Sequence, residues 1–258
     1  MKRNILFLIL VALACAALVI IRHGIVTSQK SQERKIPEEK IRYIACLVKQ
    51  KQYNTASIEL SKIAAEYSDS VDVMGVYAWL CECYSRQGLE TEAFCSARCA
   101  VAKGKELLGK HPNRHDLCCC IGSSYSTLGD WENARKSFQK FIDAEAVAKK
   151  KDPALRCRAY LEIAKAYRNQ GKWSEAVQHY QKVLANRENP CRFFMAEAQF
   201  FIAEAYRVHG KEIFGTEEKA KEATLRAYNN VTALYPEKEC AQWREKAKEQ
   251  ARELADKI

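Results

Sequence analysis

Three adjacent cysteines, Cys118, Cys119 and Cys120, close the stretch "HPNRHDLCCC". With His111, His115 and Asp116 just upstream, they are the residues of this chain best equipped for chemistry. Imidazole nitrogen and thiolate sulfur together suit zinc or copper, and thiols suit redox exchange. The spacing, however, matches no established ligand pattern. No Cys-x-x-Cys occurs among the twelve cysteines, none of the five histidines belongs to an H-E-x-x-H helix, and no glycine-rich loop is built to cradle phosphate. Successive helical residues point about 100° apart, so three neighbouring thiols fan over about 200° and cannot all serve one site. A metal- or redox-active protein using His111, His115 and Cys118 is therefore the alternative reading. The expected catalytic, metal and cofactor sets are empty.

The elements that must position these residues are helical. Among 258 residues, glycine (10) and proline (5) are scarce while Ala, Glu, Lys, Arg and Gln abound. The net charge is +10, of which residues 1–35 carry +5: Lys2, Arg3, Arg22, Lys30, Arg34 and Lys35 against Glu33. The mild excess left on the body is mixed in sign and forms no basic block, which argues for a solvated surface and against nucleic acid.

Residues 1–26 read as a transmembrane anchor or signal segment. Ile5 to Ile21 is uncharged and almost wholly apolar, about 25 Å as a helix, at the short end of a membrane span. Ala12-Leu13-Ala14 offers a cleavage site and Cys15 a lipidation site as alternatives to the anchor. Lys2 and Arg3 favour a cytoplasmic amino terminus and hence an extracytoplasmic, periplasmic body; Arg22, Lys30, Arg34, Lys35 and the many cysteines pull the other way. Residues 27–39 form a polar tether, 40–236 a repeat array and 237–258 a final helix.

The array is visible as self-similarity. "IGSSYSTLGDWENARKSFQKF" and "IAKAYRNQGKWSEAVQHYQKV" align Gly122, Tyr125, Gly129, Trp131, Ala134 and Phe138 with Ala164, Tyr167, Gly171, Trp173, Ala176 and Tyr180. Upstream copies keep Cys81, Tyr84, Gly88 and Ala93, or Ile44, Tyr53 and Ala56; downstream, Ala203, Tyr206 and Gly210 recur. The small residues mark where paired helices cross, so Gly122 is expected against Ala134 and Ala164 against Ala176. Glycines 88, 129, 171 and 210 suit left-handed turns, Asp130 and Ser174 suit caps, and Asp152-Pro153 and Asn189-Pro190 suit helix starts. In the tail, Cys240, Trp243, Ala247, Ala251, Leu254 and Ile258 form one apolar stripe on an otherwise charged helix, as the end of a stacked array requires.

These motifs resemble the tetratricopeptide repeat (TPR) family over about residues 38–236, and the "YNNVTALYPEKECA" segment is similar to units of bacterial envelope TPR proteins. The resemblance implies an all-α solenoid of about five antiparallel helix pairs with a C-terminal capping helix, preceded here by the N-terminal apolar helix. It implies a non-enzymatic, membrane-tethered scaffold for protein–protein interaction in an envelope assembly, or a non-catalytic subunit of an enzyme complex. The groove positions it implies are Asp116, Cys119, Ser123 and Ser126, then Arg158, Leu161, Lys165, Arg168 and Asn169, then Glu197, Phe200, Glu204 and Arg207. The basic middle set points to an acidic or carboxylate-ended peptide, and Cys119 is the one thiol of the run placed in the groove.

Overall fold

A computed structural model describes residues 35–149, 151–186 and 191–255. The apolar run from Ile5 to Ile21, the first part of the tether, Asn189-Pro190 and Ile258 lie outside the described residues. Among those described there are eleven α-helices and no strand. They are α1 (Glu38–Lys49), α2 (Tyr53–Glu66), α3 (Val73–Arg86), α4 (Glu90–Lys110), α5 (Asp116–Thr127), α6 (Trp131–Val147), α7 (Pro153–Asn169), α8 (Trp173–Ala185), α9 (Arg192–Phe214), α10 (Glu217–Leu234) and α11 (Ala241–Ala255). No described helix is long and apolar enough to cross a membrane.

Consecutive helices pack as antiparallel pairs, and α3, α5, α7, α9 and α11 also touch one another in series. The even-numbered helices make no comparable contact with each other. α3, α5, α7, α9 and α11 therefore lie on the inner, concave side of the curve. α1 opens at Glu38, and Ile36 before it is already buried in the first core cluster.

Local chemistry sets the turns. Gly88, Gly129 and Gly171, each seven residues beyond the small crossing residue, have φ of +73°, +72° and +73°. A Cβ at any of them would meet nothing within 4 Å, so glycine is required there for backbone angle and not for room. In the first unit the same register position is Lys51, which is forced to φ +61° without glycine's freedom. Asp130 caps α6 by accepting from the Asn133 N–H, and Asp152 caps α7 by accepting from the Leu155 N–H with Pro153 in the first turn.

Two expected signals fall elsewhere. Gly210 is not a turn residue: it is buried inside α9, which runs on to Phe214 and ends at Gly215, φ +83°. The reason is steric. A Cβ on Gly210 would sit 2.6 Å from the Cβ of Ala220, so this glycine lets α9 and α10 close together. Ser174 lies inside α8, behind Lys172 at the cap position, and makes no cap. α4 and α9, at 21 and 23 residues, are the longest of the described helices.

The crossings are tight. The Cys81 thiol donates to the Ala93 carbonyl at 3.5 Å, and Ala164 and Ala176 are fully buried in one cluster. Gly122 lies against the Phe138 ring: a Cβ there would lie 2.9–3.0 Å from it. Gly104 is equally constrained: a Cβ there would lie 2.6 Å from Ile121 Cγ1. At the far end Trp243 and Ala247 of α11 bury against Phe193, Phe200 and Tyr228, closing the stack.

Candidate functional groove

Two hollows on the concave side form one trough. The first, about 600 Å³, lies among α3, α5 and the start of α7. Its floor is open because Gly75 and Ala78 are small, and Trp79, Met74 and Leu155 wall it. The second, about 360 Å³, follows the valley between α5 and α7 as far as Trp131, Arg168 and Asn169. Ser123, Thr127 and Arg158 line both, so the trough is continuous through them.

Most of the expected groove positions are here: Asp116, Cys119 and Ser123 line the first hollow, and Ser123, Ser126, Arg158, Lys165, Arg168 and Asn169 the second. The α3 contribution of Gly75, Ala78 and Glu82 was missed. It was readable, since these three precede Asp116, Cys119 and Ser123 by one constant interval set by Cys81 and Gly122.

Other positions are elsewhere. Leu161 is 1 % exposed and belongs to the core between α7 and α8. Phe200, 7 % exposed, packs on Trp243 with ring centroids 5.4 Å apart, because α11 covers this part of α9. Glu197 is buried and bonded to Lys165, and Glu204 is held by Arg207 at 2.7 Å and by the Tyr228 hydroxyl. Arg207 and Glu204 thus answer each other.

The electrostatics differ from a count of basic residues. The Lys165 ammonium sits 3.0 Å from Glu162 and 2.9 Å from Glu197, tying α7 to α9. Burial alone would lower its pKa, but the two carboxylates outweigh that and raise it. Asp116 accepts two hydrogen bonds from the Arg114 guanidinium, at 2.9 and 2.8 Å, which hold its carboxyl below the usual range. Glu82 pairs with Arg86 at 3.5 Å. Arg168 lies 4.0 Å over the Phe201 ring, which in turn stacks on the fully buried Tyr180. Arg158 is exposed and has no ion-pair partner among the described residues.

The cysteine run separates as the helix geometry requires. Cys118 and Cys119 pack with Ala134, Phe138 and Ile163, while Cys120 packs with the preceding cluster around Leu80 and Leu117. Burial pushes all three thiols up. Cys119, expected as an accessible groove thiol, is only 6 % exposed. His111 ends α4 by donating its N–H to the Leu107 carbonyl, and Asp116 is occupied by Arg114. Among the described residues no three His, Cys, Asp or Glu side chains converge on a metal-sized point. The thiols serve packing, and burial disfavours their thiolate form.

Comparison with known proteins places the geometry. Residues 116–189, the α5–α8 segment that carries most of the trough, match the family model of the tetratricopeptide repeat. The chain is similar in fold to the nearly identical TPR-like repeats of a Podospora anserina protein, at 20% identity and a TM-score of 0.55, covering 76% of this chain and 95% of that one. It is also similar to a thermophilic TPR protein of Thermus thermophilus, at 15% identity and a TM-score of 0.54, covering 82% and 97%. No curated protein matches the sequence.

Proposed function

From the premise that α5–α8 are tetratricopeptide repeats in a TPR-like solenoid, we propose that this chain is a non-catalytic scaffold that captures a protein partner along its concave trough. The observation that carries this reading is the continuity of the two hollows through Ser123, Thr127 and Arg158. An extended peptide needs such a continuous, partly polar bed, and helical repeats supply one without catalytic machinery. The proposed scaffold is tethered: the apolar run from Ile5 to Ile21 anchors it in a membrane, and the body stands on the extracytoplasmic side as part of an envelope assembly.

In-cell photo-crosslinking from two positions tests the capture. A photoreactive side chain at Ser126, in the trough, should trap one partner reproducibly. The same group at Val147, 87 % exposed and outside the trough, should not. Equal yields from both positions refute groove capture. Cys46, Cys95 and Cys99 are exposed, so an impermeant thiol reagent on intact cells reports the side of the membrane that the body occupies.

A further inference from the structure

Resting on the groove reading, we propose the chemistry of the partner: an extended segment with an apolar side chain followed by acidic side chains, the first seated in the Gly75/Ala78 hollow and the others on Arg158 and Arg168. The argument is one of residual charge. The carboxylates that flank the trough are engaged within the protein: Glu82 by Arg86, Asp116 by Arg114, Glu162 and Glu197 by Lys165, Glu204 by Arg207. Lys165, surrounded by two carboxylates, has no charge to offer a ligand. Two guanidinium groups remain. Arg158 is unpaired among the described residues at the junction of the hollows, and Arg168 rests on the face of Phe201 with its hydrogen-bond donors free of any carboxylate there.

Arginine's planar fork binds carboxylates in two-point fashion, and a guanidinium stacked on an aromatic ring is held ready for that contact. The two arginines are ten residues apart on α7, so their Cα atoms are about 15 Å apart along the helix. An extended chain covers that in about four to five residues. The apolar end follows from one wall of the first hollow, formed by Met74, Ala78, Trp79 and Leu155, while Glu82, Asp116, Ser123 and Thr127 line the side towards Arg158. One bound segment therefore reads, in order along α7, apolar anchor, acid, short spacer, acid.

The test is selection from a phage-displayed random dodecapeptide library on the full chain. Three variants accompany it: Arg158→Glu, Arg168→Glu, and Ala78→Trp, which fills the hollow. All three positions are exposed or half-buried, and helical circular dichroism checks that each variant folds. The proposal expects a consensus with an aliphatic or aromatic residue and two acids, and binding weakened about tenfold or more by each variant. It further expects the selection on Arg158→Glu to enrich Lys or Arg in place of one acid. A consensus without acids that is still blocked by Ala78→Trp overturns this inference and leaves groove capture standing. Binders that ignore all three variants overturn groove capture itself.

Discussion

Gly210→Ala is expected to destabilise the fifth helix pair, against the intrinsic preference of helices. In an unhindered helix the substitution would stabilise by about 0.8–1.0 kcal/mol, because glycine loses more backbone freedom on folding. Here the new methyl would sit 2.6 Å from the Ala220 Cβ and 3.2 Å from its Cα, whereas carbon atoms in contact prefer about 3.5–4.0 Å. Its neighbour is a helix backbone and cannot swing aside, so α9 and α10 must part by about 1 Å. Overpacking of this kind costs about 1–3 kcal/mol. Overpacking offsets or exceeds that gain, for a net loss of up to roughly 2 kcal/mol and a fall in Tm of up to roughly 8 °C for an array of this size. Ala220→Gly removes the nearer contact and leaves the Cα at 3.2 Å. In that background Gly210→Ala should reverse sign and stabilise by up to about 1 kcal/mol. Thermal unfolding of the four members of the cycle, followed by circular dichroism, measures a coupling of about 1–3 kcal/mol, the overpacking relieved. If Gly210→Ala stabilised the parent chain, or if the two substitutions were additive, the steric account of this glycine would be wrong.

Three further outcomes follow from the same geometry. Lys51→Gly should raise the stability of the first pair by up to about 1 kcal/mol, read as a higher denaturant midpoint, because Lys51 holds φ +61° where the other units have glycine. Asp130→Ala should cost about 1 kcal/mol through the lost bond to the Asn133 N–H, while Ser174→Ala should change the midpoint by less than about 0.3 kcal/mol. His179 is stacked on Tyr167, and burial, helped by Lys182 and Arg135, lowers its pKa from 6.5 to about 4. The folded state binds its proton less readily than the unfolded state. Its contribution is therefore complete above pH 6.5 and is lost as pH falls from 6.5 towards 4, at no more than about 1.4 kcal/mol per pH unit. His179→Phe should flatten the urea midpoint across that window, and an unchanged slope would remove His179 as its source.

How far the fold could be read in advance depended on the range of each signal. The turn glycines at 88, 129 and 171 act on their own φ, and Asp130 and Asp152 reach amides three residues away. Such effects are complete within a few residues, so the spacing of small and aromatic side chains was enough to predict the helix pairs. Gly210 carries the same residue type at the same register and does a different job. What separates it from Gly171 is whether another helix passes within touching distance, and that depends on α10.

The groove shows the same division more sharply. The resemblance to the repeat family implied a groove set that includes Asp116, Ser123, Arg158, Lys165 and Arg168, and helical register separated the three thiols of Cys118–Cys120. Only the stacked structure decided which of those charges stay available. Lys165 is neutralised by Glu197 from the next pair, Phe200 is covered by Trp243 of the last helix, and Cys119 is buried between α5 and α7. Periodicity assigns a side chain to a face because that follows from 3.6 residues per turn. Whether the face is then open, paired or covered is a property of the neighbouring helices, whose approach is set by packing summed along the whole array.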